Sequence, residues 1–199
     1  MTSKLNITEQ THQLAAQFQV DFSKELCSIP KELKSECTGI IIDAHAVQRA
    51  CLVEIARDNQ VYAFVPSLYD LKKSNGVLHP KLKYVKSAST FSGFCGFHDN
   101  NLFQPVEDVP FTSSLEQCFL LNYRSFSREF YFKNAAYQNF LNLRKRVAKK
   151  PPHDQARFYV QFSGYEKGLK SAVKWMAEKK ESIDNYLLNA DYSKLKAFI

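Results

Sequence analysis

The residues best suited to chemistry lie in Ser89-Thr-Phe-Ser-Gly-Phe-Cys-Gly-Phe-His-Asp-Asn-Asn-Leu-Phe103, where Cys95 and His98 form a Cys-x-x-His pair and Asp99 follows directly. A soft thiolate and an imidazole at that spacing can face one tetrahedral ion, and Gly93 and Gly96 permit a tight turn around the cysteine. The pair alone is half a site. Upstream, Cys27 and Cys37 bound a short polar loop. Cys27, Cys37, Cys95 and His98 together would make a closed Cys3His structural zinc site drawn from two distant stretches. The Cys27–Cys37 separation is longer than the spacing of about two to four residues usual in zinc motifs, which lowers its specificity. The competing account is a set of unrelated buried cysteines.

His45 has two readings. It can replace Cys27 as a zinc ligand, or it can stay free. A free imidazole near a metal module titrates close to neutral pH and can deprotonate a water that attacks phosphorus. The plain alternative is a core or capping histidine. Asp99 could hold a divalent ion such as Mg2+ together with phosphate oxygens. Its plain alternative is a carboxylate favoured by a helix N-terminus.

These residues need elements to hold them. The 199 residues are 45% hydrophobic and 24% charged, a globular composition. No run of about 18 apolar residues, the length a membrane span needs, is present. The first residues lack an apolar secretion core, and five cysteines is an odd number. Metal binding or burial therefore fits the cysteines better than disulfides, and a cytoplasmic protein is expected.

Thr8–Phe18 reads as a short N-terminal helix holding His12, with Leu14 and Phe18 at i, i+4. Ile40–Ile42 reads as a strand after the Gly39 turn, and residues 46–57 as a helix with Val47, Cys51 and Ile55 on its buried stripe. Cys51 is then a core residue. Val61–Val65 and Lys81–Lys86 read as strands, the second with one wet face, and Pro66–Pro80 as the loop between them. Ser113-Ser-Leu-Glu116 fits a capping box opening a long helix that stops at Pro151-Pro152. Cys118 falls within this helix and is expected to be buried. A last helix spans about Lys167–Asn189, with Leu169, Val173, Met176, Ile183 and Leu187 on one side. Lys194-Leu-Lys-Ala-Phe-Ile199 is an apolar finish without a cap, as a chain cut ahead of a further domain would show.

Charge follows the same division. The net charge is +7. Residues 1–22 hold one basic and two acidic groups, residues 23–112 hold ten of each, and residues 113–199 hold sixteen basic and eight acidic. The expected domains are an N-terminal arm (1–22), a zinc-binding module (23–112) and a basic helical region (113–199). The basic excess points to a polyanion partner, nucleic acid in particular; the plain alternative is a lysine-rich solvated surface.

Four segments carry a resemblance. They are Cys37-Thr-Gly-Ile-Ile-Ile-Asp-Ala-His-Ala-Val-Gln48, Asp58-Asn-Gln-Val-Tyr-Ala-Phe64, the stretch from Ala88 to Glu107, and Glu116-Gln-Cys-Phe-Leu-Leu-Asn-Tyr-Arg-Ser-Phe-Ser-Arg-Glu-Phe-Tyr131 after Pro110-Phe. Over about residues 25–133 the chain resembles a family of uncharacterised bacterial proteins with a zinc-finger-like, HNH-endonuclease-like N-terminal module. The resemblance implies a ββα, treble-clef-like metal fold. It places His45 at the position of the general base, Cys95 and His98 at the zinc pair, and Asp99 at the catalytic-metal position. The asparagine that orients the base in HNH enzymes has no counterpart here, since Ser87 or Thr90 occupies its region. The stretch between His45 and Cys95 is also longer than usual.

The expected fold is α+β: a small zinc-stapled ββα module followed by a basic all-helical extension. The expected function is metal-dependent endonucleolytic hydrolysis with structural Zn2+ and a catalytic Mg2+ or similar ion, on DNA more than RNA. Arg124, Arg128, Arg144, Lys145, Arg146, Lys149 and Lys150 would contact phosphates. The alternative is a non-catalytic zinc-stapled module that binds nucleic acid or a protein partner. No membrane partner is expected.

Overall fold

The computed structural model describes residues 26–64, 73–75 and 77–194. The expected helix over Thr8–Phe18, with His12, lies outside these residues, as does most of the apolar C-terminal finish. The chain is a mixed α+β protein with two small antiparallel sheets and long helices. It divides into two compact units, one containing His45–Phe91 and the other Lys24–Ala44 with Ser92–Ile199.

In the first unit, helix α1 (Arg49–Ile55) is followed by strand β2 (Gln60–Ala63), which pairs antiparallel with β3 (Lys81–Tyr84). Leu52, Val61, Val85 and Ala88 form its buried core, with Ala56 against them. This corrects the expected stripe: Val47, Cys51 and Ile55 are all exposed. The helix has only two turns, and its Leu52/Ala56 face is the one that meets the sheet. Each residue advances about 100°, so Cys51 is carried off that face. The phase of β3 is likewise opposite to the simplest expectation. Val61 faces the core, so its cross-strand partner Lys83 shares the inner face while Leu82 and Tyr84 are exposed. The long Lys83 stem can line apolar surface while its charge stays wet.

The second unit holds most of the sheet formed by β1 (Ile41–His45) and β4 (Thr90–Cys95). Gly39 precedes β1 at φ +76°, a left-handed conformation that glycine adopts without strain. The segment before it docks along β4, with Leu26 N–H donating to Ser92 O at 3.3 Å and Ser28 N–H to Gly93 O at 2.7 Å. The loop between Cys27 and Cys37 contains a 3₁₀ turn over Lys31–Glu36. Helix α2 (Gly96–Glu107) starts immediately after β4, and Pro105 lies inside its last turn. The tight turn expected around Cys95 is therefore a strand-to-helix junction.

Two long helices complete this unit, α3 (Leu115–Val147) and α4 (Pro152–Leu188). The α3 cap is Ser114, one residue later than expected. Its hydroxyl accepts from Gln117 N–H at 3.2 Å, and Ser113 takes a positive φ instead. α4 begins at Pro152, well before Lys167, because a proline at the first helical position is pre-organised for the turn. Leu169, Met176 and Ile183 are buried on its stripe, while Cys118 on α3 is only half-buried. Phe94 packs edge-on to Phe103 at 5.1 Å between ring centroids and contacts Tyr123 at 6.5 Å, joining β4, α2 and α3.

Gln117 fixes the α2–α3 connection. Its side-chain N–H groups donate to the Pro105 and Pro110 carbonyls at 3.0 Å each, and its carbonyl oxygen accepts from Thr112 N–H at 2.8 Å. Gln117→Ala removes these bonds, whose partners are half-buried or exposed, and is expected to cost about 1–2 kcal/mol. The check is a lower urea midpoint at unchanged m.

Candidate metal centre

Cys27, Cys37, Cys95 and His98 come together in the second unit, with their ligand atoms all within 4.8 Å of one another. Each comes from a different local structure. Cys27 lies in the segment docked on β4, Cys37 ends the 3₁₀ turn, Cys95 ends β4, and His98 sits in the first turn of α2. His98 Nδ1 is 3.7 Å from Cys27 Sγ, 3.6 Å from Cys37 Sγ and 3.1 Å from Cys95 Sγ. Tetrahedral zinc bonds of about 2.3 Å to sulfur and 2.05 Å to nitrogen imply S···N edges of about 3.6 Å. Two of the three edges match that figure and the third is about half an ångström shorter. Cys27, Cys95 and His98 are buried and Cys37 is half-buried. Three soft sulfurs and an imidazole nitrogen converging on one buried point are a donor set suited to zinc, and the set could hold such an ion.

The thiols are not equivalent. Burial pushes Cys27 up to about 11, against the opposing N–H groups of Cys95 and Ile29. Burial also raises Cys95, but the N–H groups of His98 and Thr38 together with the His98 ring outweigh it and bring it down to about 6. Cys95 N–H in turn donates to Cys27 Sγ at 3.4 Å. Of these two, Cys95 is the readier ligand at neutral pH, and Cys27 is the one that must release its proton when a cation binds.

A polar network joins this pocket to the long helices. Lys34 Nζ donates to the Cys27 carbonyl. The Tyr123 hydroxyl lies 2.8 Å from Asp184 Oδ1 and 3.2 Å from the Ser28 carbonyl, and accepts from Lys180 Nζ at 2.9 Å. Lys180 also pairs with Asp184. Burial pushes the Lys180 ammonium down, while the charge and hydrogen bond of Asp184 act to hold it up. Burial and Asp184 keep the Tyr123 phenol protonated. Tyr123→Phe removes the hydroxyl shared by Ser28, Asp184 and Lys180, and is expected to cost about 1–3 kcal/mol, read as a lower denaturation midpoint.

The other residues singled out in the sequence lie outside the Cys3His cluster. His45 lies in the first unit, half-buried, with Nε2 3.1 Å from the Val85 carbonyl. A carbonyl only accepts, so Nε2 carries the proton. His45 is not part of the Cys3His cluster. Asp99 is buried in the second unit, 3.6 Å from Arg124 Nη2. A carboxylate so placed neutralises the guanidinium instead of presenting oxygens to a hydrated Mg2+. Arg124 is itself fully buried, 2.6 Å from Glu107 Oε1 and 3.8 Å above the Phe103 ring centroid, so it has no access to a phosphate. Arg128 is half-buried over Phe132 and bonded to Glu129. Arg144, Lys145, Arg146, Lys149 and Lys150 are exposed around the α3–α4 turn, with Arg144 paired to Glu166 at 2.6 Å.

Lys180, Tyr123, Asp184 and Lys34 were not singled out by the sequence reading. Lys180 had a signal: it falls between Met176 and Ile183 in the apolar series Leu169, Val173, Met176, Ile183, Leu187, where the heptad spacing calls for an apolar residue. Among the described residues no helix is long and apolar enough to cross a membrane. No family model matches the chain, and neither a curated protein nor a solved structure matches it.

Proposed function

We propose that this chain is a zinc-stapled nucleic-acid-binding module in which the metal is architectural. The observation that carries the metal role is the closed donor set: Cys27, Cys37, Cys95 and His98 supply all four positions of a tetrahedral site. Catalytic zinc keeps a position open for water or substrate. Bound there, zinc would fix the docked segment and the 3₁₀ turn against β4 and α2, an arrangement in keeping with a treble-clef-like module. The partner reading rests on charge. Residues 113–199 carry sixteen basic against eight acidic groups, and five of the basic ones are exposed at the α3–α4 turn. Such a cluster neutralises phosphates without reading sequence.

The test is salt-dependent binding to DNA and RNA by the zinc-loaded protein. The triple variant Lys145→Glu/Lys149→Glu/Lys150→Glu is expected to weaken binding and flatten its salt dependence; affinity unchanged by charge reversal would sink the assignment.

A second reading is phosphodiester hydrolysis with His45 as general base. It is favoured by the Val85 carbonyl, which fixes the ring and leaves Nδ1 as the basic nitrogen. The divalent ion would then be held by groups other than Asp99. This reading expects metal-dependent cleavage that His45→Ala abolishes, and intact cleavage by that variant would remove it.

A further inference from the structure

The first unit carries an apolar face that its own core does not use. The β2–β3 register places Tyr62 opposite Leu82 and Gln60 opposite Tyr84, so Tyr62, Leu82 and Tyr84 share the outer face of the hairpin. They are 73%, 52% and 53% exposed, and Phe64, two residues beyond Tyr62, is 66% exposed. The opposite face is already occupied, since Val61 is buried with Leu52, Val85 and Ala88. Two tyrosine rings and a leucine on one face of a pair of four-residue strands, with exposed Phe64 just beyond, are too many to be scattered surface apolar residues.

Charge identifies the occupant. Between His45 and Phe91 the chain has seven basic residues (Arg49, Arg57, Lys72, Lys73, Lys81, Lys83, Lys86) and three acidic ones (Glu54, Asp58, Asp70), an excess of four positive charges in a stretch that is otherwise apolar on its outer face. Along β3 itself Lys81 and Lys83 alternate with the outward residues and so leave from the other face, where Lys81 is exposed. A sheet face that presents rings outward within a net-basic unit matches single-stranded polynucleotide: unstacked bases lie on the rings, while the phosphates need only positive charge nearby. Duplex DNA hides its bases in the stack and cannot use the rings in this way. An acidic protein segment would meet the lysines but has little need of the ring planes.

We infer that the β2–β3 hairpin is a single-stranded nucleic-acid platform, with Tyr62 and Tyr84 as base-stacking residues and Phe64 extending the surface. The inference rests on the nucleic-acid reading above, and deepens it by naming the strandedness and the surface.

The test uses the full-length zinc-loaded protein and fluorescence anisotropy with oligo(dT), oligo(U) and a duplex, each of about 20 nucleotides or base pairs. The expected result is tighter binding of one or both single strands than of duplex. Tyr62→Ala/Tyr84→Ala is expected to weaken single-strand binding by roughly 10- to 100-fold with an unchanged salt slope, and Tyr62→Phe/Tyr84→Phe to retain it. Oligo(dT) against oligo(U) tells whether the strand is DNA or RNA. Both tyrosines are largely exposed, and unchanged thermal melting of the alanine variant checks that it is folded. Equal single-strand affinity of the alanine variant, or preference for duplex, overturns the platform; if Lys145→Glu/Lys149→Glu/Lys150→Glu still weakens binding, the broader reading survives. Failure of the wild type to bind any oligonucleotide overturns both. Self-association lost in the alanine variant, without oligonucleotide binding, would assign the face to a protein contact instead.

Discussion

One zinc per chain is the expected content of protein purified without chelator, and none the content of Cys95→Ser. Cys95 is the strongest choice for the substitution because it is fully buried at the strand-to-helix junction, and its thiol, brought down to about 6, is already a thiolate at neutral pH. Serine offers a hard, protonated oxygen that zinc binds poorly. Apparent zinc affinities in small structural sites are worth about 10–16 kcal/mol, comparable with or above the whole stability of an ordinary domain. Removing the metal, by mutation or by chelator, is therefore expected to release the segments that only the cluster ties together, those around Cys27 and Cys37. The long helices have aromatic packing of their own, including Phe140 against Phe158 at 5.7 Å and Tyr165 at 5.8 Å. Much of the far-ultraviolet helical signal should accordingly persist while proteolytic sensitivity rises near residues 26–40. The pH dependence has a definite sign. Cys27 holds its proton up to about 11 in the metal-free pocket, so metal binding at neutral pH must displace it. Apparent zinc affinity should climb about tenfold per pH unit from this residue alone, and more steeply below about pH 6, where Cys95 is also protonated. A chelator competition series across pH measures it. Folded protein without zinc, or a flat pH response, would remove the metal centre.

Arg124→Met is expected to destabilise the protein by about 2–3 kcal/mol, less than the usual cost of breaking a fully buried ion pair because water reaches the Glu107 carboxylate. The guanidinium is fully buried between Glu107, Asp99 and the face of Phe103. Methionine fills much of the volume but removes the cation beside both carboxylates, of which Asp99 is buried and Glu107 reaches solvent. Arg124→Lys should rescue little, because an ammonium is a point charge that cannot serve both carboxylates and stack on the ring as a planar guanidinium does. Adding Glu107→Gln to Arg124→Met should recover part of the loss, since it removes one uncompensated charge; the non-additivity in a double-mutant cycle measures the pairing. Because Asp99 follows His98 directly, weaker zinc retention is expected alongside the lower urea midpoint. A loss below about 1 kcal/mol would show that water reaches Asp99 as well when the arginine is gone.

The candidate metal-ligating residues were legible because chemistry restricts the choice. Few residue types bind soft cations, and Cys27, Cys37, Cys95 and His98 stood apart from Cys51 and Cys118 by their placement outside helical stripes. The long helices were legible from periodicity, although the start of α4 was set too late. The proline pair at its head reads equally as the end of one helix and the start of the next. Where elements were short, phase was lost. In the two-turn α1 a stripe through Val47, Cys51 and Ile55 and one through Leu52 and Ala56 differ by a single residue, and only the partner strand chooses between them. In β3 the apolar residues Leu82 and Tyr84 look like a core face, yet the pairing of Lys83 with Val61 turns them outward.

Arg124 marks the limit most clearly. By itself the sequence determined a mixed chain with a Cys3His ligand set, two long helices and a basic C-terminal half, because side-chain chemistry, periodicity and charge are local or additive properties. Whether an arginine meets solvent or two carboxylates inside the fold is neither. Tertiary structure decided that Arg124 faces Glu107 and Asp99, that Lys180 and Tyr123 back the cluster, and that Tyr62 and Tyr84 face outward, because burial depends on which distant segment arrives opposite a side chain.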